Sequence, residues 1–248
     1  MNICLFSQEE INKPLSLKDE RGAHIIKILH KKTGDTFISG IIEGDSGIST
    51  IKEITDSEII FDFKPTGNGK PLFPLKMIIG FPRPIQLKRL LRDVSALGVS
   101  EVHLTGTELG EKSYLKSNIV EKGNAYKMLL DGTVQAGGTK VPKLIVHNTL
   151  KECLNVVNND NKKQLRLLLD NIKPVTNLSS AMSSGWTGSE NDEVIAAIGG
   201  ERGWTDKERD LFCNSGYTLC SMGNRIMRTE TAATVAGAII LNEMGVMD

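Results

Sequence analysis

The sequence predicts an α/β fold in which a small β-rich N-terminal domain precedes a larger domain with a mostly parallel sheet. Short β-branched runs separated by turns fill residues 1 to about 62. The proline- and glycine-rich segment 64–74 then disfavours both helix and central strand. From residue 75 onward, strand and helix patterns alternate, which is typical of a parallel sheet. A boundary in the linker gives domains 1–68 and 69–248.

The N-terminal domain is expected to be a small β-barrel or sandwich. Three β-branched runs indicate its strands: 36–39, 47–51 and 58–63. One early helix interrupts them, because Ile25, Ile28 and Leu29 fall on one face at helical spacing while Lys27 and Lys31 lie outside it.

The larger domain shows apolar strand runs between amphipathic segments. Strands are predicted at 75–80, 99–104, 144–147, 165–169, 193–198 and 217–220. Helices are predicted at 85–97, 119–135 and 150–157, after a capping box that begins at Thr205, and from Ala232 to Met244. Residues 179–191 are polar and are expected to form a mobile loop.

Composition excludes several classes of protein. The chain has 248 residues, 40% of them hydrophobic, and a formal net charge of zero. It contains no apolar run of membrane-spanning length and no secretory leader pattern. Its four cysteines are scattered and isolated from the four histidines, so we expect no metal site, no disulfide framework and a cytoplasmic location.

Two acid-free basic stretches stand out within this neutral average. One lies between Asp62 and Asp93 and the other runs from Arg21 to Lys32. They suit a phosphate backbone, and solvated helix faces explain their charge equally well. The candidate RNA-binding residues in them are Arg21, His24, Lys27, Lys31, Lys32, Arg83, Lys88, Arg89 and Arg92.

The first constellation that can bind a ligand is the loop Gly199-Gly-Glu-Arg-Gly203. It follows a predicted strand and precedes the capping box Thr205-Asp-Lys-Glu208. Glycine lets a backbone approach a ligand and the loop amides can donate to it, although a purely structural turn has the same pattern.

The second constellation is Ser221-Met-Gly-Asn-Arg-Ile-Met-Arg-Thr-Glu-Thr-Ala-Ala233, at the start of a helix of small and apolar residues. Charge at the entrance of such a helix is costly unless it meets an opposite charge. Arg225, Arg228 and Glu230 are therefore either functional or joined in an internal ion pair. The helix itself is expected to be buried nearly all round or to pack against another subunit.

Both constellations follow strands at the carboxyl edge, where open α/β sheets bind ligands. Both also lie in the last third of the chain, and neither a Gly-x-Gly-x-x-Gly fingerprint nor a Walker A sequence occurs near residue 80. This placement disfavours a dinucleotide-binding domain of the Rossmann type.

The motifs resemble those of a known family. Ile198-Gly-Gly-Glu-Arg-Gly-Trp-Thr-Asp-Lys-Glu208 is similar to the Ile-Gly-Pro-Glu-Gly-Gly-Phe-Ser-x-x-Glu motif of SPOUT methyltransferases. Met222-Gly-Asn-Arg-Ile-Met-Arg-Thr-Glu-Thr-Ala232 resembles the C-terminal motif of the RsmE-type subfamily, the bacterial small-subunit ribosomal RNA uridine-N3 methyltransferases. His24-Ile-Ile-Lys-Ile-Leu-His30 followed by Gly34-Asp35 resembles its N-terminal pattern. The chain departs from the family at Gly200, Arg202, Ala96 and His30, where proline, glycine, glutamate and arginine are usual.

The resemblance implies a PUA-like RNA-binding β-barrel followed by a SPOUT domain with a C-terminal trefoil knot, assembled as a homodimer. It implies transfer of a methyl group from S-adenosylmethionine to uracil N3 in 16S ribosomal RNA, within the small ribosomal subunit, without membrane or metal. The implied catalytic residues are Arg228, Glu230 and Arg225. The implied cofactor-binding residues are Leu169, Ile198, Gly199, Gly200, Glu201, Gly203, Leu219, Ser221, Met222, Gly223, Arg225, Ile226 and Met227.

Two other functions stay open on the sequence alone. One is a nucleotide-binding α/β enzyme that uses the glycine loop on a small molecule, against which the basic stretches count. The other is a ribosome- or RNA-binding protein of SPOUT fold that has another target base or has lost catalysis. The departures at Gly200 and Arg202 are the feature that keeps it open.

Overall fold

The computed structural model describes residues 2–115, 123–158 and 162–247. The chain divides into two compact units, one of Met1–Pro71 with Thr133–Val141 and the other of Leu72–Gly132 with Pro142–Asp248. Within the described residues, no helix is both long enough and apolar enough to span a membrane.

The first unit contains a five-stranded mixed sheet. Its strands are β1 (Cys4–Phe6), β2 (Leu15–Ser16), β3 (Thr36–Ile41), β4 (Ser46–Ile54) and β5 (Glu58–Gly67), in the order β1-β3-β4-β5-β2. β1 and β3 pair in parallel and the other neighbours are antiparallel. Phe6, Phe37 and Phe61 pack at its core, with ring centroids 5.0 and 5.7 Å apart for the two pairs that contain Phe61. These strand pairings define a five-stranded sheet, and they do not by themselves establish the barrel that the sequence predicted for this region.

A later segment of chain completes the first unit. The Glu43 amide donates to the Thr139 carbonyl (2.9 Å) and the Thr139 hydroxyl donates to the Gly44 carbonyl (2.8 Å). The Val141 amide donates to the Glu43 carboxylate (2.8 Å). Nothing in the sequence around residues 133–141 indicated this association, because the three bonds use mainly backbone groups.

The early helix differs from the prediction. A short α-helix, Glu20–Ala23, runs into a π-helical turn, His24–Ile28. The Leu29 amide donates to the His24 carbonyl at 3.0 Å, a bond between residues five apart. A π-helical turn breaks the 3.6-residue period on which the prediction rested. Ile25 is therefore buried, whereas Ile28 and Leu29 are exposed.

The second unit contains a seven-stranded parallel sheet, as the alternating pattern predicted. Its strands are β6 (Phe73–Gly80), β7 (Val99–Thr105), β8 (Lys143–His147), β9 (Lys163–Leu169), β10 (Thr176–Asn177), β11 (Asp192–Ile198) and β12 (Thr218–Ser221). Their order is β10-β12-β9-β11-β6-β7-β8, and every neighbouring pair is parallel.

Helices connect these strands. Their bounds are Pro84–Ala96, Lys112–Leu115, Asn124–Gln135, Leu150–Val157, Leu178–Gly185, Asp206–Asn214 and Thr229–Glu243. The predicted helix at 119–135 is present from Asn124 onward, and its residues 119–122 lie outside the described part of the chain.

Two helices correct the sequence prediction. The segment predicted as a mobile polar loop carries the helix Leu178–Gly185, whose Asn177 side chain accepts from the Ser180 amide at 2.9 Å. Its apolar side chains are buried. This helix was not predicted from the sequence, because the segment contains many serines. The last helix begins at Thr229 rather than Ala232.

A network of buried charge crosses the amino-terminal half of this sheet. Lys76 on β6 lies 3.2 Å from Glu193 on β11 and 3.6 Å from Glu101 on β7. The Glu193 carboxylate also accepts from the Gln164 side chain at 3.0 Å. The Glu193 side chain is only 2% exposed, so its charge depends on these partners.

Replacing Lys76 with methionine should therefore lower the free energy of unfolding by about 3–5 kcal/mol, since it leaves a buried carboxylate short of its partner. Glu193→Gln added to Lys76→Met should recover part of this loss. Arg92→Met is the matched control, because the Arg92–Asp131 pair (3.1 Å) is half exposed and should contribute under about 1 kcal/mol. Urea denaturation measures all three. Equal losses for the Lys76 and Arg92 variants would contradict this account of the network.

Candidate functional site

A cavity of about 340 Å³ opens at the carboxyl ends of three adjacent strands, β9, β11 and β12. Because parallel strands end at one edge of the sheet, the loops that follow them converge there. Residues 169–172 and 198–204 supply most of its walls, and Met222, Ile226, Met227, Arg209, Thr229 and Ala232 complete them. The two motifs found in the sequence therefore meet in one cavity.

The glycine loop at this edge is too tight for a side chain at one position. A Cβ atom on Gly199 would lie 2.9 Å from the Gly203 Cα atom. The Gly203 amide donates to the Gly200 carbonyl at 2.9 Å, and Gly203 has a φ of +67°. The loop therefore presents backbone rather than side chains to the cavity.

Both ends of the glycine loop are fixed. The capping box is confirmed: the Glu208 amide donates to the Thr205 hydroxyl at 3.2 Å and the Thr205 amide donates to the Glu208 carboxylate at 2.8 Å. At the other end, the Thr229 hydroxyl donates to the Gly199 carbonyl at 3.2 Å. This bond joins the first turn of the C-terminal helix to the loop.

An ion pair that the sequence analysis missed forms part of the cavity wall. The Arg209 Nε atom donates to the Asp170 carboxylate at 2.7 Å, and both side chains are largely buried. Asp170 directly follows β9 and Arg209 lies in the helix after the glycine loop, so the pair joins two of the three loops. Its one sequence signal was the position of Asp170 after a predicted strand.

Most of the predicted cofactor-binding residues lie in the cavity wall. Those that line it are Leu169, Ile198, Gly199, Gly200, Glu201, Gly203, Met222, Ile226 and Met227. The remaining four, Leu219, Ser221, Gly223 and Arg225, are not among its lining residues. Arg202 lines it as well, although the family motif has glycine at that position.

The loop that carries the two arginines is open to solvent. Arg225 and Arg228 are exposed, Ile226 is 91% exposed, and Glu230 in the first helical turn is 6% exposed. Among the described residues, no ion pair joins either arginine to Glu230 or to another carboxylate. The sequence argument from buried arginine charge, and its alternative of an internal Arg–Glu pair, are therefore both wrong for this chain.

Cys220 next to this loop is an unreactive thiol. Burial raises its pKa to about 11, and its Sγ atom donates to the Thr218 carbonyl at 3.3 Å. A thiol in this state is a poor nucleophile at neutral pH.

Several residues predicted to bind RNA are already paired with carboxylates. Arg21 bonds Glu10 at 3.0 Å and Asp19 at 2.8 Å, and its guanidinium lies 4.9 Å from the centre of the Phe6 ring. The hydrogen bonds that its guanidinium donates to Asp19, partly opposed by burial, raise the pKa of Arg21. Arg21 therefore anchors the first unit internally.

The second basic stretch also meets carboxylates in space. Arg83 pairs with Glu201 (3.0 Å) and Arg92 pairs with Asp131. By contrast, Lys88 and Arg89 are exposed, as are Lys27 and Lys32; Lys31 and His24 are partly exposed. Although this stretch of sequence contains no acidic residue, carboxylates from other parts of the chain therefore neutralise some of its basic side chains.

Histidines and a cysteine that are distant in sequence meet inside the second unit. His103, His147 and Cys153 are buried, with possible metal-ligand atoms within 4.8 Å of one another. His103 Nδ1 and His147 Nε2 share a hydrogen bond of 2.9 Å, and His103 Nε2 bonds Glu101 at 3.2 Å. Burial lowers the pKa of His103 to about 4 and raises that of Cys153 to about 12. The separation of these three residues along the chain gave no sign of this cluster.

The chain matches known proteins along most of its length. Residues 68–241 match the family model described as an RNA methyltransferase domain. The chain is 43% identical, over 97% of its length and 91% of the relative's, to ribosomal RNA small subunit methyltransferase E of Treponema pallidum. It is 32% identical, over 97% of both, to ribosomal RNA small subunit methyltransferase E 1 of Borreliella burgdorferi.

Solved structures share the fold. A probable rRNA methyltransferase from Porphyromonas gingivalis has a TM-score of 0.76 at 19% identity, covering 99% of this chain and 100% of that one. Ribosomal RNA small subunit methyltransferase E from Neisseria gonorrhoeae, bound to S-adenosyl methionine, has a TM-score of 0.73 at 17% identity, covering 98% and 97%. The chain belongs to the RNA methyltransferase family, and within it to the group of ribosomal RNA small subunit methyltransferase E proteins.

The glycine loop allows a matched comparison of two neighbouring glycines. Gly199→Ala should lower the free energy of unfolding by about 1–3 kcal/mol, because its Cβ atom would meet backbone that cannot move without opening the loop. Gly200→Ala should change it by less than about 0.5 kcal/mol, since the nearest atom to its Cβ is an ordinary 3.5 Å away. Denaturation curves compare the two variants. If both alanines were tolerated equally, the tight loop described above would be incorrect.

Proposed function

We propose that this protein transfers a methyl group from S-adenosylmethionine to uracil N3 in small-subunit (16S) ribosomal RNA. The main observation that supports this proposal is that the glycine loop and the arginine-bearing loop line one cavity at the carboxyl edge of the sheet. Spacing in the sequence did not show that the two loops meet. The names of the relatives from Treponema pallidum and Borreliella burgdorferi support ribosomal RNA as the substrate.

The cavity suits the proposed cofactor. S-adenosylmethionine supplies a methyl group already activated on a positively charged sulfur. The loop at Gly199 leaves no room for a side chain, so backbone groups can approach the adenine edge closely. Apolar side chains of Leu169, Ile198 and Met227 cover part of the remaining wall. The other residues that we propose to bind the cofactor are Gly200, Glu201, Gly203, Leu219, Ser221, Met222, Gly223, Arg225 and Ile226.

Uracil N3 must lose its proton before it can attack a methyl group. Its solution pKa is a few units above neutral, so the site must remove or weaken that proton. We assign Glu230 as the group that accepts it, because its carboxylate is largely buried at the first turn of the C-terminal helix and forms no ion pair within the described residues. A general base needs such freedom from a competing cation.

As the proton leaves, negative charge develops on the uracil oxygens. Arg228, which precedes the C-terminal helix, is the proposed cation for this charge, with Arg225 next. Both arginines are exposed in the free chain, so we expect the RNA itself to cover them. Desolvation by substrate would then strengthen an interaction that is weak in water.

The finer architecture is part of the same proposal. We assign residues 1–68 to a PUA-like barrel and residues 69–248 to a SPOUT domain whose C-terminal segment threads a trefoil knot. The bond from Thr229 to Gly199 supports this, because it ties the last helix to the loop after β11. The RNA would contact Lys27, Lys31 and Lys32 on the first unit and Lys88 and Arg89 on the second.

Three further properties follow from this function. The substrate is expected within the small ribosomal subunit, and the enzyme in the cytoplasm where that subunit is assembled. No membrane partner is expected. A methyl group on a sulfonium needs no Lewis acid to leave, so we also expect no metal ion in the reaction.

We also propose a homodimer through the C-terminal helix. Ala236 and Ile240 are fully buried within the chain, whereas Val235 and Ile239, one turn apart, are only partly buried. The sequence expectation of burial all round was thus too broad. One face of the helix packs internally, and the partly exposed apolar side chains of Val235 and Ile239 leave surface for an isologous contact.

The catalytic assignment is tested with Arg228→Ala. Single-turnover methylation of small subunits lacking the modification should slow by about 100-fold or more, as for other lost charge-stabilising donors. Arg228→Lys should recover part of the rate, because an ammonium lacks the planar fork. Calorimetry should show S-adenosylmethionine affinity within a few-fold of wild type. Since Arg228 forms no ion pair in the described chain and no side-chain cap, the variant should fold. A wild-type rate for Arg228→Ala would transfer the role to Arg225.

The dimer is tested with Val235→Asp combined with Ile239→Asp. Sedimentation at micromolar concentration should show a monomer, because two carboxylates would be buried unpaired in an apolar interface. Val156→Asp, an exposed apolar position on another helix, is the control and should leave the assembly unchanged. A wild-type chain that already sediments as a monomer would refute the interface.

A further inference from the structure

A second cavity, of about 320 Å³, opens on the first unit. β1, β3, β4 and the segment that follows the π-helical turn form its walls. Its lining is mostly apolar, and Lys31 is the one charged residue among the residues that line it. The proposed methyl-transfer chemistry does not use this cavity.

The outer rim of this cavity reverses the usual pattern of an antiparallel sheet. Ile38 on β3 pairs directly with Ile48 on β4, and their side chains are 58% and 44% exposed. The next positions inward, Ser39 and Ser49, are fully buried and share a hydrogen bond of 2.7 Å. Antiparallel sheets normally place apolar side chains inside and polar ones outside. Apolar side chains kept on the outside next to a cavity indicate a contact surface.

Lys31 lines the cavity, and Lys27 and Lys32 lie close along the chain to its lining residues Leu29 and Lys31. Lys27, Lys31 and Lys32 take part in no ion pair within the described residues. The nearest acid along the chain, Asp35, accepts from the Lys32 backbone amide at 2.8 Å. The surface thus combines a mostly apolar depression with ammonium groups that form no ion pair in the described part of the chain, which matches a base and its phosphates.

The backbone beside the cavity is held in an unusual conformation. The π-helical turn ends at Ile28, and His30 has a φ of +52°, in the left-handed region that favours glycine. Such conformations are energetically unfavourable and are concentrated at functional sites. Here they leave Leu29 exposed at the cavity wall and Lys31 beside it.

We infer that this cavity holds an unstacked base of a single-stranded segment of the substrate RNA. Leu29, Ile38 and Ile48 contact the base, and Lys27, Lys31 and Lys32 hold the phosphates on either side. RNA-binding proteins commonly read bases that are splayed out of loops and bulges. A surface that binds another protein commonly carries carboxylates for basic side chains of the partner. The residues that line this cavity include no carboxylate, which favours RNA as the occupant. The inference rests on the proposed function, since it takes ribosomal RNA as the substrate.

The test separates apolar base contacts from phosphate contacts. Ile38→Ser combined with Ile48→Ser should weaken binding to small ribosomal subunits about tenfold without changing the dependence of affinity on salt. Lys31→Gln should instead lower the salt slope by about one unit. Ile60→Ser is the matched control, because Ile60 is a 36% exposed isoleucine of the same sheet that does not line the cavity. S-adenosylmethionine affinity should be unchanged in all three variants.

A photocrosslink locates the contact directly. RNA containing 4-thiouridine should crosslink to peptides that contain Leu29 or Ile38 in the wild-type protein and lose this crosslink in the double serine variant. Wild-type RNA affinity in that variant would overturn the inference, and so would a change in self-association with RNA affinity intact, which would indicate a protein interface. If the wild-type protein neither bound nor methylated small subunits, the proposed function itself would fail, a result distinct from either of these.

Discussion

The parallel pairing of β9 between β11 and β12 is the constraint on which the candidate site depends. It brings the loops after three strands that are distant in sequence to one edge of the sheet. The Arg209–Asp170 ion pair joins the segments after β9 and β11. The bond from Thr229 to Gly199 joins the start of the C-terminal helix, which follows the third loop, to the loop after β11. If any of the three strands shifted in register, the cavity would lose a wall.

The site separates binding from chemistry in a physically simple way. Backbone groups of a tight glycine loop, apolar side chains and the Arg209–Asp170 ion pair form the cavity. The charged groups proposed for the reaction lie at its margin, with Glu230 buried and Arg228 exposed. An exposed arginine contributes little in water, and it gains strength only when an RNA base and its backbone exclude solvent. In the proposed mechanism, this arrangement couples the electrostatic step to the arrival of the substrate.

Local patterns predicted much of this fold. Alternating strands and helices indicated the parallel sheet, and Thr205 with Glu208 indicated the capped helix that the structure contains. Patterns failed where the backbone departed from standard periods: the π-helical turn exposed Ile28 and Leu29, and a serine-rich segment proved helical at Leu178–Gly185. They also failed for long-range pairs, since the position of Asp170 after a predicted strand did not indicate Arg209 as its partner, and the meeting of His103 with His147 leaves no local signal.

The central claim is that this chain places a methyl group on N3 of a uridine in 16S ribosomal RNA. Nucleoside mass spectrometry of small-subunit ribosomal RNA from cells with and without the protein tests it most directly. The account predicts that 3-methyluridine disappears from this RNA when the protein is absent and returns when the wild-type chain is restored. Unchanged 3-methyluridine in its absence, or loss of a different methylated nucleoside, would contradict it.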